Sequence, residues 1–234
     1  MAHFRPLAGP LPAIDGSAPK WPGRVVPGMT KKKSKAGKAG KAGTAGTAGK
    51  ALLAADRKAH QAVQPYRETA AVKSLSWLSE LGDQPQMLTL SGGVLALGVV
   101  RGDRRMVRAG GRMIASHLLA TWIKNVVKHR VDRTRPFAAR GQEDRKPRKG
   151  RNTSKEETSF PSGHSAGALA VAQAFAREFP AHRGKALAGA GAIAAAQVPR
   201  CAHYPTDVGA GLAIGWLSEL AVDRVARRLL PASA

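Results

Sequence analysis

Apolar residues recur at helical spacing in the stretch that begins at residue 70. Val72, Leu75, Leu78 and Leu81 stand three residues apart and would share one face of a helix. A Gly-Asp pair and a proline follow directly, and these residue types end helices. The pattern therefore predicts an amphipathic helix over residues 70–81 that lies on a surface, such as a membrane interface.

Five further apolar segments of helical character follow this amphipathic helix. Three of them end at a proline, at Pro180, Pro199 and Pro231, because proline cannot continue a helix. The segments cover residues 86–100, 107–129, 162–179, 184–198 and 206–230. Together with the first helix they predict an all-α fold, a bundle of about five to six helices.

These segments fall short of ordinary transmembrane helices, which need about 20 apolar residues. Small residues, however, favour close helix packing inside a membrane. Two pairs of glycines four residues apart supply such faces, Gly163 with Gly167 and Gly211 with Gly215. We therefore expect a membrane-embedded bundle, and a soluble alanine-rich helical bundle is the alternative.

Residues 1–58 have the composition of a disordered basic arm. Pro, Gly, Ala and Lys dominate there, with a low-complexity run from Lys35 to Lys50 and few large apolar residues. Such an arm could contact anionic lipid or nucleic acid through its lysines, or could be a solvated tail. The helical domain would then span residues 59–234, with a long charged loop at 138–158.

The charge of the chain is strongly positive. Its formal net charge is +23 over 234 residues, and its isoelectric point lies near 11.3. This excess predicts attraction to anions, which include nucleic acid, an anionic membrane surface and a phosphorylated substrate, and composition does not choose among them. Cys201 is the single cysteine, which excludes an intramolecular disulfide.

Three short clusters carry candidate chemistry, and the first contains Lys128, Arg135 and Pro136 at the end of the second apolar segment. Two cations at this spacing can hold a phosphate dianion, and an arginine can do so through two parallel hydrogen bonds. The surrounding residues are also basic, so this cluster alone is weak evidence for a phosphate site.

The second cluster is Phe160-Pro161-Ser162-Gly163-His164, at the start of the third apolar segment. Ser162 is a suitable N-cap, and the free N–H groups of a helix start bind anions. Gly163 would let a phosphate approach the main chain closely. His164 would then lie in the first turn as a candidate general acid, although an isolated histidine is more often structural.

The third cluster places Asp207 four residues after His203. A carboxylate at this spacing can accept the imidazole N–H, which fixes the tautomer and leaves the other ring nitrogen free as a nucleophile. The same spacing occurs in metal sites, but the sequence suggests no further ligand set, so we expect no metal. In an up-down bundle all three clusters would lie at one end.

Taken in order, the three clusters resemble the signature of the type 2 phosphatidic acid phosphatase superfamily, which includes class A acid phosphatases and vanadium haloperoxidases. That signature is K-x6-R-P, then P-S-G-H, then S-R-x5-H-x3-D, and the similarity covers roughly residues 70–228. The resemblance implies an all-helical bundle and hydrolysis of a lipid phosphate or diphosphate through a phosphohistidine. It implies no cofactor.

The resemblance also implies a role for each matching residue. His203 would attack phosphorus, Asp207 would orient His203, and His164 would protonate the leaving oxygen. The groups that would hold the phosphoryl oxygens are Lys128, Arg135, Ser162 and the amide of Gly163.

The sequence departs from the signature at one point. Ala196 and Gln197 stand where the family has Ser-Arg, so a phosphate-binding arginine is missing. Arg200 follows three residues later, close to one helical turn, and we hypothesise that it supplies the missing charge. The alternative is a weaker or altered enzyme.

Substrate, partners and location follow from the resemblance as expectations. We expect a lipid phosphate such as phosphatidate, phosphatidylglycerol phosphate or isoprenyl diphosphate, and no specific nucleic acid partner. The expected location is a bacterial-type inner membrane, as a multi-pass protein. The sequence does not decide on which side of the membrane the active site lies. Two alternatives remain: a vanadium haloperoxidase-like enzyme, and a catalytically weakened member that acts as a basic membrane- or nucleic-acid-binding protein.

Overall fold

The computed structural model describes residues 44–141 and 145–229, and these residues are mostly helical, as the all-α prediction requires. The helices are α1 Thr44–Val63, α2 Ala70–Glu80, α3 Gln84–Arg101, α4 Arg104–Lys128, α5 Gly163–Glu178, α6 Arg183–Ala196 and α7 Pro205–Leu229. Between α4 and α5, β1 Val131–Asp132 pairs antiparallel with β2 Arg148–Lys149. The predicted charged loop contains β2 and a 3₁₀ turn at Lys155–Glu157.

The six helices that the sequence predicts correspond to α2 through α7, and each begins and ends within three residues of its predicted limit. Local capping explains the turn between α3 and α4. Gly102 ends α3 with a φ of 65°, a left-handed conformation that glycine adopts without strain. The Asp103 carboxylate then accepts hydrogen bonds from the amides of Arg105 and Met106, at 2.8 and 3.1 Å, and caps α4.

Helix α5 is the central helix and packs against α3, α4, α6 and α7. Its buried residues are nearly all small: Ser165, Ala166, Gly167, Ala168, Ala170, Val171, Ala172, Ala174 and Ala176. Two glycines of α7 contact it directly. A Cβ on Gly211 would lie 2.3 Å from the carbonyl oxygen of Ser162, and one on Gly215 would lie 2.4 Å from that of Ala166. Helices α5 and α7 therefore meet backbone to backbone.

The main apolar core lies between α3, α4, α5 and α6. Its largest buried members are Met87, Met113, Val171 and Ile193, with Phe175 packed against it. Full burial of an apolar side chain of this size contributes roughly 1.5–3 kcal/mol, so these contacts hold the four helices together.

Large apolar side chains also lie on the outer surface of the helices. They include Leu90, Trp77, Trp122, Trp216 and Leu229, each at least half exposed. Within residues 44–141 and 145–229, no helix is both long and apolar enough to cross a lipid bilayer. Membrane embedding therefore stays a prediction.

A network of ion pairs joins α4, α5 and α7 at the end of the bundle where α4 begins. Arg112 lies 2.7 Å from the carboxylate of Asp223 and 3.2 Å from that of Glu178. Arg177 donates to Glu219 at 3.0 Å and also contacts Asp223 at 3.2 Å. Because Glu219 and Asp223 are buried, this network supplies the charges that they need inside the bundle.

Helix α1 corrects the predicted disordered arm. The sequence predicts disorder up to residue 58, and this is wrong for residues 44–58, which form most of α1. Alanine favours a helix, and two polar side chains of α1, Asp56 and His60, are buried against the rest of the protein. The remainder of the predicted arm, residues 1–43, lies outside the described residues.

Candidate active site

The three motif clusters meet at one end of the bundle, at the C-terminus of α4 and the N-termini of α5 and α7. The ring centroids of His164 and His203 lie 6.4 Å apart. The segment between α4 and α5 folds back, and the amide of Ser159 donates to the carbonyl of Arg133 at 2.9 Å. This main-chain hydrogen bond holds the segment of the first cluster next to Ser159, the residue directly before the second cluster.

His203 is almost completely buried, with 1% of its surface exposed. Its Nδ1 lies 2.7 Å from the main-chain carbonyl oxygen of Ser159, and because a carbonyl only accepts, Nδ1 carries the proton. Burial, with the nearby cations Arg135 and Lys128, holds the pKa of His203 well below its usual value, so the ring is neutral. A neutral imidazole with a free lone pair on Nε2 is a nucleophile.

Asp207 contacts His203 less directly than the sequence predicts. Its Oδ2 lies 3.9 Å from Nδ1 of His203, which is too far for a hydrogen bond. The carboxylate instead accepts from the hydroxyl of Ser159 at 2.6 Å and from the amide of Tyr204 at 2.9 Å. Asp207 is therefore linked to His203 through Ser159, whose hydroxyl donates to the carboxylate and whose carbonyl accepts from Nδ1 of the ring. No sequence pattern indicates this role of Ser159.

Arg133 joins Asp207, at the start of α7, to α1 and is almost fully buried, with 1% exposed. Its guanidinium contacts the carboxylate of Asp207 and lies 2.6 Å from that of Asp56. Its Nε donates to the carbonyl of Arg145 at 2.8 Å, and its Cζ lies 4.1 Å from the ring centroid of Tyr204. The sequence does not indicate the ion pair of Arg133 with Asp56. Arg133 stands among other basic residues, and Asp56 lies in the predicted disordered arm.

Lys128 and Arg135 bring two cations into the site. Nζ of Lys128 donates to the carbonyl of Thr158 at 2.7 Å, and Nε of Arg135 donates to that of Lys155 at the same distance. Burial, with Arg135 nearby, lowers the pKa of Lys128 to about 7. Two partly buried cations side by side repel each other, so an anion bound between them would be favoured.

Ser162, Gly163 and His164 begin α5. Ser162 is the N-cap, and its buried hydroxyl accepts from the amide of Ser165 at 3.4 Å. Lys124 of α4 lies against Gly163, where an added Cβ would be 3.0 Å from Cδ of the lysine. The free amides of this helix start, with a neighbouring lysine, could bind an anion. The sequence pattern does not indicate Lys124 as part of the site.

A cavity of about 640 Å³ opens beside these cations. Its lining includes Asp83, Arg135, His164, Gln197 and Arg200, together with part of α2. Nε2 of His164 lies 2.7 Å from the Asp83 carboxylate, which precedes α3. A volume of this size is in the range of small-molecule sites and would hold a phosphorylated headgroup.

Arg200, the hypothesised substitute for the missing arginine, lies on the wall of this cavity. Its Nε donates to the hydroxyl of Ser76 in α2 at 3.1 Å, and its Nη1 contacts the hydroxyl of Ser79. Gln197 is fully buried and donates to the same Ser79 hydroxyl at 2.7 Å. Both side chains are thus bonded to α2, and of the two only Arg200 brings a positive charge to the cavity wall.

Comparison with known proteins identifies the family. The sequence model of the PAP2 superfamily matches residues 109–229, which is more than half of the chain. The chain belongs to the PAP2 superfamily. The resemblance drawn from the three motif clusters is thereby confirmed. The PAP2 match begins within α4, so Asp56 of α1 and Asp83 before α3 lie outside the matched residues.

Two bacterial relatives share part of this PAP2 sequence. A lipid A 1-phosphatase of Rhizobium johnstonii is 39% identical over 118 residues, which cover 49% of this chain and 46% of that protein. A lipid A 1-phosphatase of Rhizobium etli is 36% identical over 121 residues, which cover 50% of this chain and 51% of that protein. The aligned part thus spans about half the length of these relatives.

A solved PAP2 structure has a similar fold. It is the crystal structure of a transmembrane PAP2-type phosphatidylglycerolphosphate phosphatase from Bacillus subtilis. The TM-score is 0.56 at 21% sequence identity, and the match covers 78% of this chain and 89% of that one. This likeness extends beyond the family match and supports the PAP2 architecture of the helices.

Proposed function

We propose that this PAP2 protein removes phosphate from a lipid-like phosphate ester, with Nε2 of His203 as the nucleophile. The observation that carries the proposal is the 2.7 Å hydrogen bond from Nδ1 of His203 to the carbonyl of Ser159. Because the proton sits on Nδ1, Nε2 keeps its lone pair in a site rich in cations. A phosphoryl group bound by those cations would meet an unprotonated nucleophile.

The cations would bind the phosphoryl oxygens and stabilise the charge that they carry in the transition state. Arg135 and Lys128 lie close enough to His203 to lower its pKa, and α5 begins near it at His164. Arg200 on the cavity wall would supply the charge that Gln197 does not. Phosphoryl transfer depends mainly on such positioning and electrostatic stabilisation. No metal is needed in this scheme.

The proposed reaction has two steps. In the first, a bond forms between Nε2 of His203 and phosphorus while the bond from phosphorus to the leaving oxygen breaks, and protonated His164 gives its proton to that oxygen. In the second, a water oxygen attacks phosphorus, the N–P bond breaks, and His164 takes a proton from the water. Phosphate leaves, His203 is neutral again and His164 is again protonated.

A lipid substrate of a bacterial inner membrane is the second part of the proposal. The two relatives carry the name lipid A 1-phosphatase, so a phosphorylated glycolipid joins the candidates. An apolar groove of about 300 Å³ between α3, α5 and α6 also adjoins the site. Gly82 connects the two, because a Cβ there would touch both Ile193 of the groove and His164 of the site. This neighbourhood suits a substrate with a charged head and an apolar tail.

Phosphate release by the purified full chain in detergent tests the proposal. The panel contains lipid A, phosphatidylglycerol phosphate, phosphatidate and isoprenyl diphosphate. We expect release from at least one lipid, inhibition by vanadate, no effect of EDTA and a loss of at least about a thousandfold in His203→Ala. His182→Ala, which removes an exposed histidine outside the site, is the matched control.

Trapping the intermediate tests the nucleophile itself. With a radiolabelled phosphate ester, an alkaline quench should leave label on the wild-type protein and none on His203→Ala, because N–P bonds survive alkali. Activity that persists in His203→Ala, or that EDTA abolishes, would refute the phosphohistidine scheme.

A further inference from the structure

The carboxylate of Asp83 faces His164 instead of its own helix. Asp83 is the N-cap residue of α3, but its side chain makes no cap hydrogen bond. Asp103 holds the same position in α4 and does cap it, through the amides of Arg105 and Met106. An aspartate at an N-cap ordinarily accepts such bonds. The carboxylate of Asp83 instead lies 2.7 Å from Nε2 of His164.

The turn between α2 and α3 is shaped for this contact. Gly82 precedes Asp83, and a Cβ on it would lie 2.5 Å from Cγ2 of Ile193 and 3.4 Å from Cδ2 of His164. A side chain at residue 82 would therefore push the turn away from α5 and α6. Without one, the turn approaches closely enough for the carboxylate to reach the imidazole.

We propose that Asp83 is a positioning residue for His164, through a direct hydrogen bond. The other carboxylate of the site, Asp207, reaches His203 only through Ser159. This inference rests on the proposed function, in which His164 is the general acid and base. Nε2–H of His164 donates to Asp83 throughout the cycle. The other ring nitrogen, Nδ1, therefore becomes the atom that gives the proton to the leaving oxygen and later takes one from water.

The charges around His164 explain why a carboxylate is needed there. Burial lowers the pKa of His164, Asp83 raises it, and the cations Arg200 and Arg135 lower it further. His203 also faces the ring but is neutral. Other charged side chains of the cavity wall are Arg67, Glu68, Lys73, Glu80, Lys155 and Glu156. A general acid must hold its proton before the first step, and Asp83 is the carboxylate in contact that favours this state.

The expected effect of Asp83→Asn is specific to proton transfer. Asparagine is as good an N-cap as aspartate, so α3 should form normally. With an alkyl or sugar phosphate at pH 8, we expect kcat to fall by about ten- to a hundredfold, in line with the weight of general acid catalysis. With p-nitrophenyl phosphate, whose leaving group needs little protonation, kcat should change far less.

The pH profile supplies a readout that a merely structural role would not move. Loss of the carboxylate lowers the pKa of His164, so the alkaline limb of kcat should shift to lower pH in Asp83→Asn. Activity on the alkyl phosphate should then recover as the pH falls. Asp83→Glu should restore part of kcat at pH 8, and Asp103→Asn, the same change at the N-cap of α4, should leave the profile unchanged.

Titration of the histidines by NMR in the full chain separates this inference from the proposed function. The His164 signal is assigned by its loss in His164→Gln, and its pKa should be lower in Asp83→Asn than in the wild type. An unchanged titration of His164 together with an unchanged pH profile would overturn the pairing even if the enzyme is a phosphatase. A shifted titration in a protein that hydrolyses no phosphate ester would support the pairing and sink the proposed function.

Discussion

The carboxylate of Asp56 lies 2.6 Å from the guanidinium of Arg133, across 77 residues of sequence. The same guanidinium contacts Asp207, so one buried arginine joins α1 to the segment that carries the proposed nucleophile, His203. Asp56 also accepts from the amide of Thr206 at 3.0 Å. Helix α1 is therefore part of the support of the candidate active site, although the PAP2 family match begins only in α4.

Asp56→Ala should destabilise the protein and weaken catalysis together. Removing one partner of a buried ion pair leaves the other charge unpaired, which typically costs about 3 kcal/mol or more. We expect a clearly lower midpoint of thermal unfolding and a reduced kcat. Glu68→Ala is the control, because its ion pairs with Arg67 and Lys73 are exposed and contribute little. Equal midpoints for the two variants would contradict this support by α1.

Two glycines of α7 predict opposite effects of the same substitution. Gly215→Ala would place a Cβ 2.4 Å from the carbonyl oxygen of Ala166, so α5 and α7 must separate, and we expect a loss of about 1–3 kcal/mol in the free energy of unfolding. Gly209→Ala meets nothing within 4 Å and should be neutral or stabilising by up to about 1 kcal/mol. Denaturant unfolding measures both, and a tolerated Gly215→Ala would show that the helices are not in backbone contact.

Arg200→Ala tests the substitute for the missing family arginine. If the guanidinium binds a phosphoryl oxygen, its removal should lower kcat/KM by about a hundredfold, and Arg200→Lys should recover part of it. Lys73→Ala serves as the control, because it removes another cation of the same cavity. The charge of Lys73 is already paired with Glu68, at 3.5 Å. Full activity in Arg200→Ala would mean that the site works without this charge.

Lys128 should take up a proton when a dianion binds. Its pKa is about 7, so about half of the molecules lack the proton at neutral pH. A bound dianion raises this pKa, which means that binding draws a proton from the buffer and that affinity falls as the pH rises above 7. Sulfate is a suitable probe because it does not titrate in this range.

Isothermal titration calorimetry in buffers of different ionisation enthalpy measures this uptake. We expect about half a proton per site at pH 7 in the wild type. Lys128→Arg keeps the positive charge without a titration near neutrality and should show correspondingly less uptake. Identical proton uptake in the two proteins would assign the linkage to another group.

Helices α2 through α7 could be predicted from the sequence because their apolar positions repeat at helical spacing and because Gly or Pro follows the end of each of them except α4. Helix α1 could not. Leu52 is exposed, whereas Asp56 and His60 are buried, so its burial pattern runs against the apolar rule. Its place in the fold depends on polar partners in residues far along the chain, which local composition does not report.

The site follows the same division. The meeting of the three clusters could be predicted, because their positions at helix ends place them at the same end of an up-down bundle. Ser159 could not, because it acts on His203 through a main-chain carbonyl that every residue possesses. Asp83 appears in the sequence as part of a helix break, between Gly82 and Pro85, and its partner His164 becomes visible only when α3 and α5 are placed together.

The two histidines differ in what an amino-acid change can do to them. The proton on His203 is held by a peptide oxygen, which no side-chain replacement can delete, so the course of the main chain sets which ring nitrogen is free for the proposed attack. The partner of His164 is a replaceable carboxylate on a short turn. Substitution at residue 83 would therefore change the pH range of activity, whereas the proposed attacking atom would stay the same.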